Sequence, residues 1–182
     1  PRSAFLLWQL VGEDDFFNQL DIKIKNNDPT AQFVFYGLRK LEYNTRSTGK
    51  EAIELLQKSV EQNYIPSIIE LGFDYYTGKF VSADRKIAID LWTYAEQLNS
   101  FEAIVRKASS QLIEYNNSDN LENEIETIIE AEKEGSLLAQ FTLAYCYENG
   151  IGIKKDIAKA VKYYGLAASR ENQYAYEQIK RL

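Results

Sequence analysis

The chain has 182 residues, of which 45% are apolar and 26% are charged, and its formal net charge at pH 7 is -6. This balance excludes a disordered chain and argues against nucleic-acid binding, because phosphate contacts need clustered Lys and Arg. No apolar run reaches the ~20 residues that a membrane span requires, so no membrane span is expected.

The apolar spacing along the chain predicts helices from end to end, with polar or glycine-containing turns between them. Residues 1–12 favour a helix, and an acidic start followed by apolar residues four apart predicts another over 13–26. Further helices are predicted at 30–43, 52–60, 66–76, 85–95, 101–115 and 121–135, with loops at 44–49 and 116–120. A helix-turn-helix unit over 137–172 and a final helix over 173–182 complete the chain.

A period of 36 residues relates these helices to each other. Each predicted first helix opens after a short polar turn, at Pro29, Ile65, Phe101, Leu137 and Gln173. Small residues recur in register: Ala31, Ser67, Ala103, Ala139 and Ala175 share one position, and Gly72, Ala108 and Ala144 share another. Small residues let paired helices approach closely, and repeated helix pairs bury their apolar faces by stacking on neighbours.

The last full unit resembles the Sel-one-like repeat, a relative of the tetratricopeptide repeat. The residues that carry this resemblance are Ala139, Leu143, Ala144, Tyr147, Gly150, Gly152, Ile153, Asp156, Lys159, Ala160, Tyr163, Tyr164, Ala167 and Ala168. The unit over 65–100 fits as well, although Phe80 stands where the second turn glycine is usual. The resemblance implies an all-α fold, a right-handed α/α superhelix of antiparallel helix pairs.

A single repeat domain over 1–182 is predicted. Residues 1–28 would form N-terminal capping helices and residues 173–182 a C-terminal capping helix, with repeats at 29–64, 65–100, 101–136 and 137–172. The third repeat departs most from the pattern, because Asn116 to Asn120 replace its glycine turn.

In such a superhelix the first helix of each pair lines the concave side. If Ala139, Leu143, Ala144 and Tyr147 face their own partner helix, the other side of the same helix carries the candidate partner-binding residues. With their equivalents in the other repeats, these residues are Phe33, Lys40, Ile69, Phe73, Tyr76, Val105, Leu112, Leu138, Phe141, Tyr145 and Glu148. Aromatic side chains contribute strongly to interfaces, so a peptide- or protein-binding groove is predicted. The alternative is that adjacent first helices bury these rings against each other.

Other candidate sites give weaker signals. The glutamates between Glu122 and Glu134 are typical of a cation site, of an electrostatic patch or of a solvated helix face. Cys146 has no histidine in the chain to activate it and is expected to pack between helices. Gly150 and Gly152 lack the spacing of a phosphate loop. No catalytic residue, cofactor or metal site is predicted.

The first functional hypothesis is a non-catalytic module that binds another protein, and its net negative charge suits a basic partner or an effector toxin. Bacterial proteins similar to this one serve as adaptors or as immunity proteins that neutralise an effector toxin. Alternatives are a hydrolase acting on cell-wall or β-lactam substrates, as in cysteine-rich relatives, or a structural spacer. The chain has no methionine, so Pro1 indicates a processed or trimmed N-terminus, and export to the periplasm is favoured over the cytoplasm.

Overall fold

The computed structural model of the chain describes residues 13–42, 48–114, 120–170 and 172–182, and within them all regular secondary structure is helical. These residues form two compact units, divided between Asn99 and Ser100. The first unit contains α1 (Glu13–Lys25), α2 (Pro29–Lys40), α3 (Gly49–Glu61), α4 (Ile65–Thr77) and α5 (Arg85–Gln97). The second contains α6 (Phe101–Ile113), α7 (Glu122–Lys133), α8 (Leu137–Asn149), α9 (Ile157–Ala168) and α10 (Gln173–Arg181).

Capping residues set the helix starts, and they follow the repeat period. Before four of the first helices, a side-chain oxygen accepts the backbone N–H three residues later, which satisfies one of the unpaired donors of a helix start. These caps are Asp28 in α2, Ser100 in α6, Ser136 in α8 and Asn172 in α10. Thr48, Asp84 and Asp156 cap the second helices α3, α5 and α9 in the same way.

The helix pair α4–α5 shows how the first unit is packed. Asp84 N–H donates to the Tyr75 carbonyl beside the turn, and Trp92 Nε1 donates to the Ile69 carbonyl at 3.1 Å further along. The two helices are therefore antiparallel. A Cβ added to Gly72 would lie 2.5 Å from Trp92 Nε1, so only glycine leaves room for the indole at this crossing.

The second unit repeats this arrangement with different residue sizes. Ala144 stands in the repeat position of Gly72, and Tyr164 stands in the position of Trp92. Both belong to the apolar cluster that joins α8, α9 and α10. A larger cluster on the other side of α8 joins it to α6 and α7 through Ala139, Leu143 and Cys146. Helix α8 is thus covered on two sides.

The turn inside each helix pair uses positive φ angles. This accounts for its glycines, and in the first unit Phe80 stands where the second unit has a glycine. Gly78 and Gly150 end α4 and α8 in the left-handed conformation, with φ of 77° and 73°. Gly152 also has positive φ, and a Cβ there would lie 2.6 Å from Ile125. Phe80 occupies the matching position in the first unit with φ of 63°, and its ring packs edge-on against Tyr36. Phe80 thus makes a ring contact that glycine could not make, but it adopts a backbone angle that glycine adopts more easily.

The all-α fold predicted from the sequence is confirmed, and the helices lie where they were expected with small differences at their ends. Helix α2 ends at Lys40 rather than at residue 43, because Glu42 turns the backbone to φ 60°. Helix α6 ends at Ile113 rather than at 115. The helix expected over 1–12 and most of the loops at 44–49 and 116–120 lie outside the described residues. The single repeat domain stays a prediction.

Candidate partner-binding surface

Helices α2 and α4 carry five of the predicted partner-binding residues, and Lys40 is the most connected of them. Its Nζ lies 2.7 Å from Asp74 Oδ1 and also contacts Glu70 Oε1. The ammonium group is 4.9 Å from the centroid of the Phe73 ring. Lys40 was predicted to meet a partner, whereas the structure uses it to join α2 to α4.

A buried polar network surrounds this lysine. The Tyr36 hydroxyl donates to Asp74, whose side chain is fully buried. Burial raises the pKa of the Asp74 carboxyl, although its hydrogen bonds from Lys40 and Tyr36 act in the opposite direction. Burial and the bond to Asp74 together raise the pKa of Tyr36. Since a buried carboxylate is costly unless it is paired, the lysine and the tyrosine are needed to accommodate Asp74 inside the helix layer.

Four of the predicted residues are buried, so the expectation that they are exposed is wrong. Ile69 lies under Trp92, and Val105 and Leu112 belong to the large cluster of the second unit. Glu148 accepts the Tyr164 hydroxyl at 2.8 Å and pairs with Arg181 of α10. First helices in these units lie between neighbouring helices and have little surface left, which a single helix pattern does not reveal.

The predicted direction of two aromatic rings is also wrong. Tyr76 lies 5.6 Å from the Trp92 ring on its own partner helix α5, and Arg85 is 4.7 Å above it. Phe141 lies 5.6 Å from Tyr164 on α9 and 5.5 Å from Tyr174 on α10. The physical reason is that α8 is rotated about its axis relative to the orientation assumed from the sequence. Ala139 and Leu143 were assigned to the α9 side, but they pack on the preceding helices α6 and α7.

The remaining predicted residues stay half-buried. Phe33 packs edge-on against Tyr64 with ring centroids 5.8 Å apart, and Phe73 lies beside Lys40. In the second unit, Leu138 and Tyr145 pack at the margin of the large cluster. We call Phe33, Phe73 and the neighbouring Glu70 the α2–α4 patch. Phe33 and Phe73 thus keep part of their aromatic surface exposed on the successive first helices α2 and α4.

Asp74 was missed by the sequence reasoning, although a signal was present. The same repeat position holds Ser110 and Cys146, both buried. Leu38 stands there in the repeat before and is buried as well, so an acidic residue at this otherwise uncharged, buried position indicates a compensating cation nearby. Lys40 is on the previous first helix and fits that role. Comparison of repeat positions could therefore have singled out Asp74 as a buried acid in need of a partner, although not which residues supply it.

Cys146 is another position that the sequence singled out, and packing accounts for it. Cys146 is buried between helices as expected, and burial raises the pKa of its thiol to about 12. Among the described residues, no cluster of three or more His, Cys, Asp or Glu side chains is arranged to hold a metal ion. The part of the chain that the structure describes contains no helix long and apolar enough to cross a membrane.

Comparison with known families identifies the repeat. The pattern described as Sel1 repeat matches residues 35–64, 65–100 and 137–172, which together make up more than half of the chain. The chain belongs to the Sel1 repeat family. Residues 101–136, predicted to be the least regular repeat, lie outside the three Sel1 repeat matches.

Curated relatives of this Sel1 repeat chain include two fungal proteins. It is 28% identical over 145 residues to the chitin synthase regulator SKT5 of Malassezia restricta, which covers 77% of this chain and 10% of that protein. It is also 28% identical over 134 residues to the chitin synthase regulator SKT5 of Saccharomyces cerevisiae, covering 72% of this chain and 19% of that protein. The chain therefore spans a fifth or less of these relatives.

Solved structures share the Sel1 repeat fold. A Sel1 repeat protein from Oxalobacter formigenes matches with a TM-score of 0.70 and 19% identity, over 99% of this chain and 74% of that one. The protein c5321, a protective antigen of uropathogenic Escherichia coli strains, matches with a TM-score of 0.65 and 22% identity, over 89% of this chain and 35% of that one. This fold is typical of protein–protein interaction, and Sel1 repeat proteins are generally non-catalytic scaffolds.

Proposed function

We propose that this chain is a non-catalytic module that binds another protein through the α2–α4 patch of its first unit. Leu138 and Tyr145 of α8 stay a separate candidate contact in the second unit. The observation that carries the proposal is the pair of half-buried rings, Phe33 and Phe73, on adjacent first helices. Aromatic rings that are partly covered already have restricted rotamers, so a partner gains their contact area at a low entropic cost.

Charge supports a basic partner for this patch. The chain carries a net charge of -6, and Glu70 at the patch keeps about a quarter of its side-chain surface exposed. Lys40 has two carboxylate neighbours, Glu70 and the buried Asp74. A cation from the partner can take over Glu70 while Lys40 stays paired with Asp74. An adaptor or an immunity protein that neutralises a basic effector would use the patch in this way.

Affinity capture with quantitative mass spectrometry tests the proposal in cells that produce the protein. The test variant replaces Phe33 and Phe73 with Ala, and the control replaces Ile87 and Tyr94, two exposed residues of the second helix α5. We expect the test variant to lose at least about tenfold of the captured partner, whereas the control retains it. Circular dichroism of each variant checks that the helices remain.

Three other results would contradict the proposal. Equal loss of the partner in both variants would mean that the patch has no special role. Capture of no protein at all by the native chain would favour a structural spacer. Turnover of a cell-wall or β-lactam substrate by the purified chain would contradict the non-catalytic role.

A second candidate function rests on the fungal relatives. Both are chitin synthase regulators, and each matches more than 70% of this chain. We infer a regulatory interaction with a polysaccharide-synthesising enzyme as the alternative to an adaptor or immunity role. If this is the function, the captured partner will be a glycan synthase, and the Phe33 and Phe73 variant will change its activity in extracts.

A further inference from the structure

An exposed aromatic ring marks the turn between α4 and α5 in the first unit. Phe80 is 39% exposed, and its backbone φ is 63°. Its repeat equivalent is Gly152, which has φ of 65° and adopts the same backbone angle without strain. A strained residue that leaves this much of its ring in water gains only part of the usual benefit of burial. Packing therefore accounts for only part of the choice of phenylalanine here.

The first unit differs from the second at two further positions around this ring. Gly49, the first residue of α3, stands in the repeat position of Leu121, and a Cβ added to it would lie 3.1 Å from Phe80 Cδ1. Lys79 is exposed and stands in the position of Ile151, which packs in the core cluster of the second unit. These exchanges together replace an aliphatic turn by an aromatic and basic one.

Two cations approach the Phe80 ring. Arg39 Cζ lies 5.9 Å from the ring centroid, and Lys79 Nζ lies 5.6 Å from it. Lys79 Nζ also donates to the Lys40 carbonyl at 3.4 Å, which places it beside the end of α2. We call Arg39, Lys79 and Phe80 the turn site. One exposed ring and two positive charges are thus within reach of a single short segment.

The charges of the turn site are not neutralised from within the chain. Within the part of the chain that the structure describes, neither Arg39 nor Lys79 forms an ion pair with a carboxylate, whereas Lys40 pairs with both Glu70 and Asp74. Arg39 Nε is buried and has no hydrogen-bond partner among the described residues. A buried donor without an acceptor is costly. The guanidinium would therefore gain from an acceptor that comes from outside.

The chemistry of these three side chains selects the kind of ligand. A carboxylate accepts charge-assisted hydrogen bonds from a guanidinium, and an ammonium group adds a second positive charge. The ring offers apolar surface next to them. In an extended segment, every second side chain points to the same side. A segment with acidic, aliphatic and acidic residues at alternate positions thus presents two carboxylates and one apolar group together.

We propose that the turn site binds an extended acidic segment of another protein, in which one aliphatic side chain lies between two acidic ones at alternate positions. The carboxylates meet Arg39 and Lys79, and the aliphatic side chain covers the exposed part of the Phe80 ring. This interaction does not depend on the α2–α4 patch, which prefers a basic partner. The first unit accordingly has a second surface with the opposite charge preference.

A nuclear magnetic resonance titration of the ¹⁵N-labelled full chain with synthetic peptides tests this proposal. The first peptide is Glu-Gly-Leu-Gly-Glu with both ends blocked. The second has glutamine in place of glutamate, and the third has serine in place of leucine. We expect the first peptide to bind at least about tenfold more tightly than the glutamine peptide and about threefold more tightly than the serine peptide. Its affinity should fall as salt is added.

The Arg39 side chain provides a direct signal of where the peptide binds. Its Nε–H resonance is identified by its absence from the spectrum of Arg39→Gln. We expect this resonance to move during the titration with the glutamate peptide, because Nε gains a hydrogen-bond acceptor. The glutamine peptide at the same concentration should move it less.

Paired variants separate the turn site from the general effect of charge. The test variant combines Arg39→Gln with Lys79→Gln. The control combines Lys50→Gln with Lys86→Gln, two lysines of the same unit whose side chains are 86% and 88% exposed. We expect the test variant to bind the glutamate peptide at least about tenfold more weakly and the control to differ from the native chain by less than about threefold. Phe80→Gly should remove the preference for leucine over serine.

Several outcomes would overturn the proposal. They are no binding of the glutamate peptide at about 5 mM, equal binding of the glutamine peptide, or equal effects of the two paired variants. An Arg39 resonance that stays in place while the peptide binds would overturn it as well, and so would a leucine preference that persists in Phe80→Gly. If phosphoserine in place of glutamate raises the affinity more than about tenfold, the site takes a phosphorylated segment instead. Thermal melts by circular dichroism confirm that the variants are folded.

Discussion

Replacement of Gly72 by alanine is the sharpest test of how the helix pairs pack. The added Cβ would lie 2.5 Å from Trp92 Nε1 and 2.8 Å from its Cδ1, so the indole must move. Trp92 is almost fully buried and donates to the Ile69 carbonyl, so movement of the indole also weakens or breaks that hydrogen bond. The expected result is a less stable protein.

The magnitude follows from three contributions to the free energy of unfolding. Overpacking of a core costs about 1–3 kcal/mol. Loss of the buried indole hydrogen bond costs about 1–3 kcal/mol more. Alanine recovers about 1 kcal/mol because it favours the helix over glycine. The net expectation for Gly72→Ala is a destabilisation of about 3 kcal/mol.

Gly165 is the matched control, because it also lies inside a helix, α9, but a Cβ there has no neighbour within 4 Å. Gly165→Ala is expected to stabilise the protein by about 0.5–1 kcal/mol. Urea denaturation followed by far-UV circular dichroism measures the change in the free energy of unfolding for each variant. The change is calculated from the midpoint and slope of the unfolding transition that the substitution shifts. The same glycine-to-alanine substitution is thus expected to destabilise the protein at Gly72 and to stabilise it at Gly165.

A double-mutant cycle with Trp92→Phe isolates the contact, because phenylalanine has no indole nitrogen near Gly72. In that background the cost of Gly72→Ala should fall by more than about 1 kcal/mol. A Gly72→Ala protein as stable as the native one would refute the packing argument, and so would a cost that is unchanged in the Trp92→Phe background.

Three further predictions concern strain, titration and thiol reactivity. Phe80 has φ of 63°, so Phe80→Gly should be more stable than Phe80→Ala by about 1 kcal/mol in urea denaturation, and the reverse order would exclude strain. The raised pKa of Tyr36 means that its contribution to stability is complete below pH ~10 and is lost as the pH rises further. Tyr36→Phe should therefore lower the free energy of unfolding by about 1–3 kcal/mol at pH 7. It should also make the fall of that free energy above pH ~10 less steep, and an equally steep fall in the variant would contradict this. Because burial raises the pKa of Cys146 to about 12, a thiol reagent at pH ~8 should label the protein in urea but not the native form.

The repeat period explains why so much of the fold could be predicted from the sequence. Cap residues such as Ser100 and Ser136 and small residues such as Ala103 and Ala139 recur 36 positions apart. These residues act locally, through their own helix or the helix beside it, so their effect does not depend on distant contacts. Helix starts and the antiparallel pairing followed from them.

The candidate site was harder to predict because it depends on which side of each helix a neighbour covers. Helix α8 has apolar residues on all its sides, so the spacing of Leu138, Phe141 and Tyr145 left the rotation of the helix undetermined. The structure turns Phe141 toward α9 and α10 and leaves Tyr145 at the margin of the other cluster. Nothing within a single repeat distinguishes these two directions.

By itself, the sequence determined the helices, their caps and the 36-residue period, because each is set by interactions between residues close in the chain. Only the tertiary structure decided that Asp74 is paired with Lys40 and Tyr36 and that Glu148 joins α10 to α8 through Arg181. A buried charge is tolerated only where a partner from another helix reaches it, and that distance depends on how successive first helices stack.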